Sequence, residues 1–124
     1  MYKYNATALR VVDGDTLIVR VDLGFHVFIN IHVRVLDIDT YELKGEFREY
    51  GLKIKEEVTK LLEGRNIIIE SFKTDSELKT DKYGRWLCNV YYIDDCDNSL
   101  KNFKEWIDSK NFNKYSKEQP DFEQ

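Results

Sequence analysis

Two short acidic stretches carry the residue types that do chemistry. The first is Asp13-Gly14-Asp15-Thr16, and the second runs from Arg34 through Asp37 and Asp39-Thr40 to Glu42. Each sits at the end of an apolar, alternating run, where a rigid scaffold presents its reactive groups. Together they offer carboxylates to a hard cation, a guanidinium to a phosphate, and a carboxylate that can serve as a base. A third stretch, Thr80-Asp81-Lys82-Tyr83-Gly84-Arg85, adds a second guanidinium, an ammonium and a phenol. That combination suits hydrolysis of a phosphodiester.

Each group also has a plainer reading. Asp-Gly is an ordinary hairpin turn signal, and Asp13 is better placed to brace the turn than to bind an ion. Asp37 lies two residues from Asp39 and competes with it as a ligand, with a solvated role favoured. Glu42 read alone is a loop glutamate. His26 and His32 share a strand face but stand ~20 Å apart at strand rise, too far to hold one ion. Asp94, Asp95 and Asp97 lack the twelve-residue frame of a calcium loop and read as a solvated turn. Trp86, Tyr91 and Tyr92 can stack on bases or pack in a core.

The elements that must position these groups follow from periodicity. Tyr4–Val12 and Thr16–Val21 read as two strands around the Asp-Gly turn. From Phe25 to Val35 the odd positions are apolar and the even ones polar apart from Phe28, a third strand with Arg34 on the face away from the core. Phe47, Tyr50, Ile54, Val58, Leu61 and Leu62 change the period to three and four, an amphipathic helix closed by Gly64. Asn66–Phe72 and Arg85–Ile93 read as two further strands. Ser99 is the expected N-cap of a second helix bearing Leu100, Phe103, Trp106 and Ile107. Three strands, a helix and two strands is the order of an OB-fold, a five-stranded β-barrel in a mainly β, α+β protein. Residues 1–110 form the expected domain and 111–124 a polar tail.

With 124 residues, 42% hydrophobic, the chain suffices for one folded domain. Its net charge of −4 disfavours a protein that merely coats nucleic acid, and disfavours less an enzyme that touches one or two phosphates. No apolar run reaches the ~20 residues of a membrane span. The first residues lack the apolar core of a signal peptide, so a cytoplasmic monomer with free Cys88 and Cys96 is expected. The abundance of Asn, Lys, Ile and Tyr points to an AT-rich genome, viral or bacterial.

The three motifs, in this order and spacing, resemble the staphylococcal (micrococcal) nuclease family, the thermonuclease-like domains. The resemblance covers Ala8 to Ile107. The family's Asp-Gly-Asp-Thr turn is matched by Asp13–Thr16, its Arg and Asp-Thr-Pro-Glu by Arg34 and Asp39–Glu42, and its Thr-Asp-Lys-Tyr-Gly-Arg run by Thr80–Arg85 without change. The resemblance implies a Ca²⁺-dependent OB-fold nuclease acting on DNA and RNA. It implies Asp15, Asp39 and the carbonyl of Thr40 as metal ligands, and Glu42 as the residue that activates water. Arg34 and Arg85 are implied on the scissile phosphate, Lys82 and Tyr83 on a neighbouring one, and Tyr115 is the nearest candidate for a tyrosine lining the nucleotide pocket. The sequence departs from the pattern at Tyr41, where the family has proline, in a shortened loop after Glu42, and in having no evident third helix. A module of the same fold that binds nucleic acid or protein without cutting is the alternative. Such modules typically lose the acidic and arginine residues that are present here.

Overall fold

Alternating burial along the strands builds the scaffold. The computed structural model describes residues 2–71 and 84–116. The elements are β1 (Tyr2–Asp13), β2 (Thr16–Asp22), β3 (Phe28–Val35), α1 (Arg48–Leu62), β4 (Asn66–Ser71), β5 (Trp86–Ile93), β6 (Leu100–Asn102) and α2 (Phe103–Ser109), followed by a 3-10 turn at Lys114–Ser116. The strands lie in the order β3-β2-β1-β4-β5-β6, and a parallel pairing of β3 with β5 joins the ends. Val33, Arg34 and Val35 face Trp86, Leu87 and Cys88 in that closure. The result is a closed five-stranded mixed barrel with two helices, the expected OB-fold, with β6 an appendage on β5.

Closure depends on β1. Its first half pairs with β4 and its second with β2, and Ala6 and Thr7 pair on both sides. Register shifts at Ala8/Arg10 and Val11/Asp13 interrupt the β1–β2 ladder. Such irregularities bend a strand and strengthen its twist, which lets β1 turn the corner of a barrel. Ala8, Leu17, Val19, Val33 and Val90 fill the interior.

The helix α1 caps the barrel with Gly51, Ile54, Val58 and Leu62, one apolar stripe at helical spacing. It stops where Glu63 turns extended and Gly64 takes a φ of +81°, and the Gly64 amide donates to the Ala8 carbonyl at 2.7 Å. Among the described residues no helix is long and apolar enough to cross a membrane.

Three expectations are corrected. The third strand begins at Phe28, because Gly24, Phe25 and His26 all adopt left-handed φ and form a turn. Its odd-numbered apolar set is buried only at Val33 and Val35, since the outer half overhangs the barrel. The second helix begins at Phe103, and Asn102 caps it by accepting from the Lys104 amide. Ser99 does not cap it: its amide and hydroxyl both donate to Asp97, and Leu100–Asn102 is drawn into a ladder with Tyr91–Ile93. Phe112 and Asn113, at the head of the expected tail, are buried. Residues 117–124 lie outside the described residues.

Gly51 sets how closely α1 approaches the loop after β3. A Cβ there would overlap the Glu42 carbonyl and stand 2.8 Å from that of Tyr41. Helix propensity alone favours Gly51→Ala by about 1 kcal/mol. Overpacking against backbone costs about 1–3 kcal/mol. Gly51→Ala is therefore expected to lower the urea midpoint, whereas a substitution governed by propensity would raise it.

Candidate active site

The acidic turn between β1 and β2 puts Asp15 against the loop that follows β3. Gly14 makes this contact possible. A Cβ on it would lie 2.6 Å from Thr40 Oγ1 and 2.7 Å from Ile54, so only glycine lets the turn sit that close. Asp13 braces the turn, its carboxylate accepting from the Asp15 amide at 3.1 Å. The Asp15 carbonyl accepts from the Val35 amide at 2.9 Å, which pins the turn to the end of β3.

The Asp15 carboxylate is buried and fully engaged. Oδ1 accepts from the Thr16 hydroxyl at 3.1 Å, and Oδ2 from the Thr40 amide at 3.0 Å. Arg34 Nη1 stands 3.5 Å from Asp15 Oδ2, and Nη2 stands 3.6 Å from Asp39 Oδ1. One guanidinium therefore bridges the two carboxylates. Nη1 also donates to the Ile38 carbonyl at 2.5 Å and to that of Val35 at 3.2 Å, fixing the plane of the group. Arg85, just before β5, donates from Nη1 to Thr16 Oγ1 at 3.1 Å. Both arginines thus converge on Asp15, one directly and one through Thr16.

The loop carrying Asp39 is held from the far end of the chain. Asp37 adopts a left-handed φ of 61°, so the strand alternation ends there and its side chain is exposed while Ile38 is buried. Asn113 is almost fully buried and satisfies four groups. Its Oδ1 accepts from the amides of Asp39 (3.0 Å) and Tyr115 (3.1 Å), and its Nδ2 donates to the Asp37 carbonyl (3.0 Å) and Asp108 (2.9 Å). The Lys114 amide donates to the Asp39 carbonyl, and its ammonium stands 3.3 Å from Asp39 Oδ2. Sequence reasoning missed Asn113 and Lys114. The signal available was weak, a lone Asn-Lys after the apolar Phe112.

Glu42 is exposed at the rim, with its backbone pressed against Gly51. Tyr41 immediately precedes it. The ring is buried, with Phe47 and Tyr50 at 5.4 and 5.1 Å between centroids and the Lys114 ammonium over its face. Tyr115 is exposed on the 3-10 turn beside Asn113. Lys82 and Tyr83 lie outside the described residues. Cys88 is buried, with its thiol pushed up to about 12 by burial, and Cys96 is exposed. A separate groove of about 480 Å³ on the outer sheet face is lined by Thr7, Arg20, Ile68 and Tyr91 and by none of these site residues.

The donors suit a hard cation. Asp15, Asp39 and the Thr40 carbonyl are all oxygen. Among the described residues no group of three or more His, Cys, Asp or Glu could hold a metal ion. Thr40 Oγ1 is buried with no hydrogen-bond partner among the described residues. Burial first, and then the neighbouring Asp13, push the Asp15 carboxyl up to about 6, against the opposing pull of the Thr40 amide and Arg34. A cation bound at this carboxylate would favour its ionised form.

That shift sets a pH dependence. Between about pH 4 and 6 the folded chain holds a proton on Asp15 that the unfolded chain has lost, so this group's contribution to stability falls as pH rises through that window. Asp15→Asn, which cannot ionise, is expected to be more stable than the wild type at pH 7.5 in chelator by about 1–3 kcal/mol. The difference is expected to vanish near pH 4, as followed by urea unfolding at both pH values.

Comparison with known proteins accords with the geometry. No curated protein matches the chain. The family model for the staphylococcal nuclease homologue matches residues 32–117, which include Arg34, Asp39, Thr40, Glu42 and Arg85. The Asp13–Thr16 turn precedes that range and is tied to it through Asp15, by the Thr40 and Val35 amides. With most of its length matched and the closed barrel in place, the chain belongs to the staphylococcal nuclease homologue family.

Proposed function

We propose that this chain is a Ca²⁺-dependent nuclease that hydrolyses phosphodiester bonds in DNA or RNA. The observation that carries this reading is the single Arg34 guanidinium spanning Asp15 and Asp39, with Arg85 joined to the same carboxylate through Thr16. A simple structural ion pair needs only one arginine and one acid, and here a network of acids and arginines is gathered at one place. Two acids and two arginines at the mouth of a barrel match a cation and a phosphodiester brought together.

Asp15, Asp39 and the Thr40 carbonyl would hold the ion. When bound, Ca²⁺ supplies charge that polarises the phosphate and makes a neighbouring water more acidic. Glu42 is the base: it takes a proton from the attacking water as the water oxygen bonds to phosphorus. A phosphorus–oxygen ester bond breaks, and the leaving oxygen takes a proton from solvent water while Glu42 gives its own back to solvent. Arg34 and Arg85 bind the equatorial oxygens, where negative charge builds. Arginine's planar fork matches two of those oxygens at once, and lysine's ammonium does not. Lys82, Tyr83 and Tyr115 contact the flanking nucleotide. Because Asp15 must be ionised to take the cation, Ca²⁺ affinity falls as pH drops below about 6.

Plasmid and single-stranded DNA, and RNA, incubated with Ca²⁺ are expected to be degraded, and to stay intact with chelator. Arg85→Lys is expected to lose about 10²-fold or more in kcat while binding of the oligonucleotide persists. Cleavage that survives in Glu42→Gln combined with Arg34→Gly would refute the assignment. Binding without cleavage by the wild type would favour the non-catalytic module.

A further inference from the structure

The two oxygens of the Asp39 carboxylate face two different cations. Oδ1 stands 3.6 Å from Arg34 Nη2, and Oδ2 stands 3.3 Å from the Lys114 ammonium. Those cations are held in different ways. Arg34 is fixed by the Ile38 and Val35 carbonyls and by Asp15. The Lys114 ammonium rests on Asp39 and over the Tyr41 ring, 5.1 Å from its centroid. A planar fork held by several acceptors stays in place, whereas a point charge on a four-carbon stem swings on rotatable bonds.

The backbone of Lys114 acts separately from its side chain. Its amide donates to the Asp39 carbonyl at 2.8 Å, and the neighbouring Asn113 accepts from the Asp39 amide at 3.0 Å. Those two bonds place the Asp39 loop whatever side chain stands at position 114. What the side chain adds is a second positive charge at Asp39, where Arg34 is already shared with Asp15.

On the reading of Asp15 and Asp39 as Ca²⁺ ligands, we propose that the Lys114 ammonium competes with the metal for Asp39. Lys114 is then a positioning residue that sets Ca²⁺ affinity. Without the ion, the ammonium neutralises Asp39 and holds its carboxylate in place. A divalent ion bound at the same carboxylate would stand within a few ångström of that ammonium, and like charges so close repel. Lys114 therefore gives up Oδ2 when Ca²⁺ binds. The Tyr41 face keeps it nearby, since a ring face attracts a cation whether or not the carboxylate is engaged. That ring stands where the family pattern has proline, and proline offers no such face.

Calorimetric titration of Ca²⁺ at pH 7.5, beside urea unfolding in chelator, tests this. Lys114→Met is expected to bind Ca²⁺ about tenfold more tightly than the wild type. In chelator the same variant is expected to unfold at a lower urea concentration, having lost the ion pair. Lys114→Arg keeps the charge and is expected to bind no more tightly than the wild type. Lys60→Met removes the same charge from the Glu56 pair on α1 and is expected to bind as the wild type does. A lysine that only braced the loop would lower stability and Ca²⁺ affinity together in Lys114→Met. A wild type that binds Ca²⁺, with Lys114→Met binding equally or more weakly, overturns the proposal and leaves the metal site standing. Tightening of equal size in Lys60→Met also overturns it, because net charge would then be the cause. Failure of both the wild type and Lys114→Met to bind Ca²⁺ overturns the metal site and the proposal with it.

Discussion

A buried carboxylate is costly unless its oxygens are engaged, and this structure is arranged around engaging those of Asp15. The Thr16 hydroxyl, the Thr40 amide and the Arg34 guanidinium come from three segments, and all three close on that group. Each partner has a second attachment. Thr16 accepts from Arg85, Thr40 packs on Gly14, and Arg34 is held by the Ile38 carbonyl. The barrel brings the segments to one end, and the Asp15 contacts fix their distances. Even so, burial keeps the pKa of the Asp15 carboxyl up at about 6.

Much of this was legible in the chain. The succession of three strands, a helix and two strands along the chain follows from period-two and three-to-four patterns, and three motifs in register name Asp15, Arg34, Asp39, Glu42 and Arg85 as candidates. Local pattern failed where long-range contact decides. Ser99 has the chemistry of a helix cap, but Asp97 claims its hydroxyl two residues away. Alternation from Phe25 to Val35 predicts one buried face, and burial holds only where β5 covers the strand. Gly51 reads as a weak helix residue. Its reason is a backbone from another segment, and no window of sequence contains that neighbour.

The departures from the family pattern have a similar explanation. Where the family has proline before the glutamate, this chain has Tyr41. Proline limits a loop through its own ring, and Tyr41 limits the same loop by burying an aromatic ring against Phe47 and Tyr50. Rigidity is moved from the backbone to packing, which makes it depend on α1 being docked. The shortened connection after Glu42 fits the close approach of α1 at Gly51.

Asn113 ties the acidic loop to a segment 74 residues further along the chain. On a ribosome the first three strands and both carboxylates emerge long before that asparagine does. The Asp39 loop then lacks its clamp until synthesis is almost through α2 and the turn beyond it. A nascent chain therefore has the acids without their final spacing. The spacing of the two acids is therefore set by contacts made across most of the described chain.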